Sequence, residues 1–127
     1  MPGDPRLKIK IQLICGDAFA IGPGKAALLA AIVAHGSISA AGRALGMSYR
    51  RTWLLADSMN RTWTEPLIAT AHGGARGGGA SLTPLGATVL ADYRALEVAV
   101  AVADAAQGPA ARLLTSLAAT PRPAKID

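Results

Sequence analysis

The sequence predicts a mainly α-helical protein with two small β elements. Apolar residues recur at helical spacing in several segments, glycine or proline marks the ends of those segments, and short strand-like runs lie between them. The chain of 127 residues is long enough for one domain with a modest core. Hydrophobic residues make up 51% of the chain and aromatic residues only 4%, so we expect a core of small side chains that a partner chain could complete.

The N-terminal segment predicts a β-hairpin. Apolar and polar residues alternate over residues 7–15, which is the period of a strand with one solvated face. Gly16-Asp17 is typical of a turn, and residues 18–21 form a short return strand. The single cysteine, Cys15, lies in an apolar run, so we expect a buried structural thiol and not a nucleophile.

Residues 25–34 predict the first helix. Pro23 is well placed near its first turn, and His35-Gly36 ends it. We expect an apolar stripe of this helix to face the core; it consists of Leu28, Leu29, Ile32 and Val33.

Two further helices joined by a tight glycine turn come next. Ser37 or Ser39 is positioned to cap a helix over residues 39–45, and Gly46 supplies the turn, where a positive φ costs glycine little. Ser48 then caps a helix that runs to about residue 60. We expect one face of this helix to be buried, with Trp53 in the core beside it; that face carries Thr52, Ala56 and Met59.

This pair of helices is typical of a helix-turn-helix whose second helix enters the DNA major groove. The alternative is a small α domain whose arginines are merely solvated. The arrangement of residues around the turn favours DNA binding. The first turn of the second helix would contact the groove through Ser48, Tyr49, Arg50 and Arg51, and Arg43, Arg76 and Thr52 would contact the DNA backbone.

The glycine-rich segment at residues 73–79 predicts a wing between two antiparallel strands, residues 67–71 and 80–82. Gly77 and Gly78 would let the backbone approach phosphates, which Arg76 could also reach. A floppy loop is the alternative. A nucleotide-binding loop is excluded because no Gly-Lys-Ser/Thr sequence follows. Trp63 is expected to pack beneath this wing.

A long helix begins at Thr83-Pro84 and is expected to run to about residue 106. It is apolar on more than one face, and such helices are usually covered on several sides. A second copy of the chain would supply that cover. The predicted dimerisation residues are Val89, Leu90, Tyr93, Leu96 and Val100. We expect one domain over residues 1–107, followed at residues 108–127 by a short helix and a loose tail.

Charge is concentrated on the half of the chain that holds the helix-turn-helix. The chain has a net charge of +5 and a pI near 10.0. Residues 35–76 contain five arginines against Asp57 and Glu65, which gives +3, whereas residues 92–106 contain three acidic residues against Arg94, which gives −2. A polyanionic partner is therefore expected at the first segment.

Enzymatic function is not expected. The two histidines, His35 and His72, lie in different elements, no Cys/His/carboxylate cluster has metal-ligand spacing, and no serine lies in a nucleophile elbow. His35 is interpreted as a helix cap and His72 as a wing residue. The sequence contains no secretory signal and no apolar run of about 18 residues, so we expect a cytoplasmic protein without a membrane partner.

Residues 24–97 resemble the N-terminal DNA-binding domain of the ModE family of molybdenum-responsive transcription regulators, with a more distant likeness to the winged helix of the LysR family. The combination of a Ser-Tyr helix start, a tryptophan, an asparagine and a split glycine loop is fairly specific. The residues that carry the resemblance are Gly36-Ser37-Ile38-Ser39, Ala41, Gly46-Met47-Ser48-Tyr49, Trp53, Met59-Asn60, Gly73-Gly74, Gly77-Gly78-Gly79, Leu82-Thr83 and Gly86.

The resemblance implies a winged helix-turn-helix that dimerises through its long final helix and binds a palindromic operator in double-stranded DNA. It also implies control of molybdate uptake or molybdoenzyme genes. In that family C-terminal domains bind molybdate, and the residues after Gln107 are too few for such a domain. We therefore expect no cofactor, although molybdate is possible by resemblance. The chain could act alone, respond to another signal, or associate with a separate effector-binding protein.

Two functions of other classes stay open. The first is an architectural or protein-interaction module that has kept the fold without sequence recognition. The second is a binding module for molybdate or another oxyanion, with backbone amides of the glycine-rich segment as donors.

Overall fold

The computed structural model describes residues 4–71, 79–103, 108–118 and 120–125. It is mainly helical with two small antiparallel sheets of two strands each, which confirms the predicted fold class at this level. The elements in chain order are β1 (Leu13–Cys15), β2 (Ala18–Ile21), α1 (Pro23–His35), α2 (Ile38–Ala44), α3 (Tyr49–Thr62), β3 (Ile68–Ala71), β4 (Gly79–Leu82), α4 (Pro84–Ala103) and α5 (Pro109–Thr115).

The chain divides into two compact units. One unit is residues 10–95, which hold β1 to β4, α1 to α3 and the first half of α4. The other consists of residues 1–9 and 96–127. The proposed domain boundary after residue 107 stays a prediction.

The N-terminal hairpin is shorter than the sequence predicts. β1 pairs with β2 over three residues, with the turn closed by Gly16 at φ +60°. The predicted strand over residues 7–15 is wrong for its first six residues, because β2 is only four residues long and ends where α1 begins. Every residue of β1 is exposed, Cys15 included, so the predicted buried thiol is also wrong.

The core forms around the inner face of α1. Gly22 and Pro23 open this helix, and Gly36 closes it in the left-handed conformation, at φ +73°. Val33, which the sequence places in the core, is 64% exposed. The buried face of α1 includes Ala31 in its place. The largest fully buried apolar side chains of the core are Ile21, Leu28, Leu29, Ile32, Met59 and Leu67.

Lys25 and Trp63 join β2 to the helices around it. The Lys25 ammonium donates to the Phe19 carbonyl and to the Ser58 hydroxyl on α3, at 3.3 Å for the latter. Partial burial lowers the pKa of Lys25. The Trp63 indole N–H donates to the Ala20 carbonyl at 3.2 Å. Trp63 is therefore bound to β2 and packs against the core that also contacts Ala80 and Leu82 of β4, while its predicted position beneath the β3–β4 hairpin stays a prediction.

The β3–β4 hairpin lies beside the connection between α1 and α2. Its register runs from Ile68 opposite Leu82 to Ala71 opposite Gly79, within a residue of the predicted strands. The Ala80 N–H donates to the Gly36 carbonyl at 2.8 Å. This hydrogen bond holds β4 against the turn that precedes α2.

Helix α4 starts as the sequence predicts and packs closely on the residue before β3. The Thr83 hydroxyl accepts from the Gly86 N–H at 3.0 Å and caps the helix. A Cβ on Gly86 would lie 2.1 Å from the Leu67 carbonyl oxygen, so only glycine fits there. Further along the helix, the Tyr93 hydroxyl donates to the Ile11 carbonyl at 2.7 Å.

Most residues of the predicted dimerisation stripe of α4 pack against the core of their own chain. Val89 and Tyr93 are buried, at 6% and 3% exposure, and Leu90 is partly buried against the same core. Leu96 is 41% exposed and Val100 is half-buried. Val89 and Tyr93 are thus unavailable to a partner, because the first half of α4 closes the core of its own unit.

Of the helices described, none is by itself long and apolar enough to cross a membrane; α1 and α2 pass that test only when combined across a bend of 116°.

Candidate nucleic-acid interface

The turn between α2 and α3 is fixed by backbone hydrogen bonds. The Met47 N–H donates to the Gly42 carbonyl at 2.9 Å, and the Gly46 N–H to the Arg43 carbonyl at 3.1 Å. Together they form the Schellman motif that ends many helices, with Gly46 at φ +72° as its left-handed residue. The sequence prediction for Gly46 is confirmed, and the turn sets a defined angle between the two helices.

Side-chain caps define where both helices begin. The Ser37 hydroxyl accepts from the Ala40 N–H at 3.0 Å, which decides between the two predicted caps of α2. The Ser48 hydroxyl accepts from the Arg51 N–H at 3.1 Å and caps α3. Ser48 is exposed and its O–H remains able to donate outward.

The two helices touch where Gly42 faces Thr52. Thr52 is fully buried, and its hydroxyl donates to the Ser48 carbonyl at 2.7 Å. A Cβ on Gly42 would lie 2.1 Å from the Thr52 hydroxyl oxygen. The prediction that Thr52 contacts the DNA backbone is therefore wrong, since its side chain has no access to any external ligand.

The exposed corner of this helix pair is basic. Arg43 lies in the last turn of α2, and Tyr49, Arg50 and Arg51 form the first turn of α3; all four are exposed, Tyr49 at 70%. The three arginines make no ion pair within the described part of the chain. By contrast, Arg61 at the far end of α3 pairs with Asp57 at 2.9 Å. We call this surface, Arg43 with residues 48–51, the basic corner.

Trp53 lies at the surface and not in the core. It is 39% exposed, and its ring contacts that of Tyr49 with 6.1 Å between centroids and 55° between planes. The predicted core position is wrong because Thr52, Ala56 and Met59 alone make the buried face of α3, and Trp53 lies one position around the helix from it.

Sequence reasoning missed Leu54. This side chain is 56% exposed next to Trp53, one helical turn beyond Arg50. Helical periodicity assigns apolar residues to the core, so it does not predict an exposed leucine at this position. The exposed face of α3 thus combines arginine, aromatic and aliphatic side chains.

A groove of about 290 Å³ separates this helix pair from the β3–β4 hairpin. Its walls come from the start of α2, from Trp53 and from the two strands, and the lining residues are Ser37, Ile38, Ser39, Trp53, Thr70, Ala71, Gly79 and Ala80. The predicted wing residues Arg76, Gly77 and Gly78, together with His72, fall outside the described residues. His35 is exposed in the last turn of α1, where Gly36 is the C-cap residue, and its interpretation as a helix cap stays a prediction.

Asn60 holds the end of α3 to the start of β3. Its side-chain oxygen accepts from the Leu67 and Ile68 N–H groups, both at 2.9 Å, and its amide donates to the Ile68 carbonyl at 3.0 Å. One asparagine thereby fixes the hairpin relative to α3. Asn60 is one of the residues that carry the resemblance to the ModE family, and in this chain its side chain connects two elements of the fold.

The chain is similar to curated proteins named for molybdenum. It is 47% identical over 81 residues to the molybdenum-pterin-binding protein MopB of Rhodobacter capsulatus, which covers 64% of this chain and 30% of that protein. It is 44% identical over 71 residues to the molybdenum transport protein ModE of Azotobacter vinelandii, which covers 56% of this chain and 26% of that protein.

The DNA-binding transcriptional dual regulator ModE of Escherichia coli K12 is 37% identical over 71 residues, covering 56% of this chain and 27% of that protein. No family model matches the chain. The chain spans less than a third of the length of these three relatives. Over roughly 60% of this chain, the similarity supports the resemblance to the ModE family.

Proposed function

We propose that the protein is a sequence-specific, DNA-binding transcription regulator with a winged helix-turn-helix. In this proposal α2 and α3 form the helix-turn-helix, α3 enters the major groove, and the β3–β4 hairpin is the wing. The function is binding without catalysis.

The observation that carries the proposal is the basic corner. Arg43, Arg50 and Arg51 are exposed at one end of a rigid helix pair, with no carboxylate paired to them in the described chain. Unpaired guanidinium groups at the start of a helix can form bidentate hydrogen bonds with guanine or contact phosphates. The buried contact between Gly42 and Thr52 fixes the angle at which α3 would enter the groove.

We infer a homodimer on a palindromic operator. Two copies of α3 would then lie about 34 Å apart, one turn of DNA, or further if α4 holds them apart. The relatives named for molybdenum transport and molybdenum-pterin binding favour genes of molybdate uptake or molybdoenzymes as targets.

The first experiment is capture of fragmented genomic DNA by the purified protein at near-physiological salt with excess nonspecific competitor. Recovery of a few upstream regions that share an inverted repeat is the expected result. Uniform recovery, or none, would contradict sequence recognition and favour an architectural or interaction module. Repeating the capture with molybdate, and titrating molybdate in a calorimeter, tests for direct sensing and for the oxyanion-binding alternative.

Removal of one arginine from the basic corner tests the assignment of residues. We expect Arg51→Ala to weaken binding to a recovered duplex by about 1–3 kcal/mol and to relax sequence preference, because a base contact is lost. The measurement is fluorescence anisotropy at fixed salt. Arg122→Ala is the matched control, since it removes the same charge from an exposed residue that is not part of the basic corner. Equal losses in the two variants would contradict the assignment.

A further inference from the structure

The exposed face of α3 has an apolar centre that the basic corner does not explain. Leu54 is 56% exposed and Trp53 39% exposed, and the two are adjacent in the chain. Leu54 lies four residues after Arg50, which places it about 6 Å further along the same side of the helix. An exposed leucine on a helix is common by itself, but here it continues the row that starts with an unpaired arginine.

The ring of Tyr49 contacts one side of the Trp53 ring. The two rings are 6.1 Å apart, and Trp53 also lines the groove that reaches Thr70 and Ala80 on the hairpin. A side chain with neighbours on one side and solvent on the other offers a fixed apolar surface. Leu54 extends that surface toward the exposed side.

The surrounding charge decides what this patch contacts. Arg50 and Arg51 lie one turn before Leu54 on α3, and Arg43 lies in the last turn of α2. None of the three has a carboxylate partner in the described chain, and a protein partner would have to neutralise all three. A DNA duplex supplies phosphates for the arginines. It also presents one exposed apolar group in the major groove, the C5-methyl group of thymine.

We infer that Leu54 and Trp53 form an apolar patch that contacts a thymine methyl group in the major groove. This inference rests on the proposed function and deepens it, because it assigns base preference to an apolar contact in addition to the hydrogen bonds of the basic corner. Hydrogen bonds from the basic corner and the methyl contact would together define the preferred sequence.

The test replaces thymine by deoxyuridine, which removes the methyl group and keeps the pairing edge. The probe is a duplex selected from a randomised library by the wild-type protein, with each thymine replaced in turn. We expect at least one replacement in each half-site to weaken wild-type binding about four-fold, the effect of one buried methyl-sized group. Leu54→Ala should lose this dependence at that position, and Leu54→Met should keep most of it.

Leu113→Ala is the matched control, since it truncates a leucine that is 71% exposed on α5 and should keep the full thymine dependence. The inference is overturned if no deoxyuridine replacement weakens wild-type binding, or if Leu54→Ala keeps the same dependence. Failure of the proposed function looks different, because no preferred duplex would then emerge from the library. Circular dichroism of each variant checks that it is folded.

Discussion

Gly42 determines how closely α2 and α3 approach each other. Its missing side chain makes room for Thr52, which is fully buried between the two helices. A Cβ at position 42 would lie within 2.1–2.8 Å of three Thr52 atoms, and none of them can move far because the Thr52 hydroxyl is bound to the Ser48 carbonyl. The spacing of the helix pair therefore depends on a single glycine.

Gly42→Ala is expected to lower the free energy of unfolding by about 1–3 kcal/mol, because the added methyl group overpacks the contact. Urea denaturation followed by circular dichroism measures it. In a Thr52→Ala background the same change should cost less, since two of the three clashing atoms are gone.

Gly24→Ala serves as the control for that experiment. Gly24 lies in the first turn of α1, where a Cβ meets nothing within 4 Å, so alanine there should be neutral or stabilising. If Gly42→Ala behaved like Gly24→Ala, the close contact between α2 and α3 would be refuted.

At the scale of single residues, the sequence predicted the backbone conformation and the helix caps more accurately than it predicted which side chains are buried. The capping role of Ser48 and the positive φ of Gly46 follow from rules that involve only a few neighbouring residues, and both are confirmed. The helical spacing places Thr52 on the buried face of α3, which is confirmed, whereas its residue type suggested a DNA contact, which is wrong. Trp53 was expected in the core because it is aromatic, but it is 39% exposed. The contact of Thr52 with Gly42 on α2 is one that no local pattern reveals.

At the scale of elements, Asn60 joins α3 to β3. It satisfies the N–H groups of Leu67 and Ile68 at the point where the chain leaves the helix region and enters the hairpin. Leu67 and Ile68 are buried, so these N–H groups would find no water in place of the asparagine.

Asn60→Ala is expected to lower the free energy of unfolding by about 1–3 kcal/mol, because it leaves buried N–H groups unpaired. Hydrogen exchange should show lost protection at the amides of Leu67 and Ile68 in particular. Asn60→Asp keeps an oxygen that accepts from both N–H groups and loses only the amide that donates to the Ile68 carbonyl, so it should preserve more of that protection than Asn60→Ala. Unchanged exchange at these two amides in Asn60→Ala would contradict the joining role.

The sequence placed each helix and strand pair of the described residues near its observed position, except for the length of β1. Helix ends carry strong signals, such as Thr83-Pro84 at α4 and Gly36 after α1. The alternating pattern of residues 7–12 contains no residue that marks a strand end, and β1 stops pairing where β2 ends. The length of a paired strand depends on both strands, so the pattern of residues 7–15 alone predicted a strand that is too long.

At the scale of the whole molecule, α4 leaves one apolar face unpartnered within the described chain. Val89 and Tyr93 point into the core, and the opposite side of the helix is exposed. In the unit that holds residues 96–127, the exposed side of α4 carries Val98 and Val102, which are 62% and 64% exposed and four residues apart on one face; we call this pair the seam. Because Val89 and Tyr93 are buried, we propose this seam in their place as the interface of the dimer predicted from the sequence.

Val102→Glu tests the seam and the dimer together. Val102 is 64% exposed, so the substitution should leave the protomer folded, whereas a dimer would have to bury an unpaired carboxylate. We expect sedimentation equilibrium to show a shift from dimer to monomer, and DNA binding to weaken because two half-sites are no longer held by one particle. Val33→Glu is the matched control, with the same residue type and the same 64% exposure on α1. A dimer that withstands Val102→Glu as well as Val33→Glu would place the interface elsewhere.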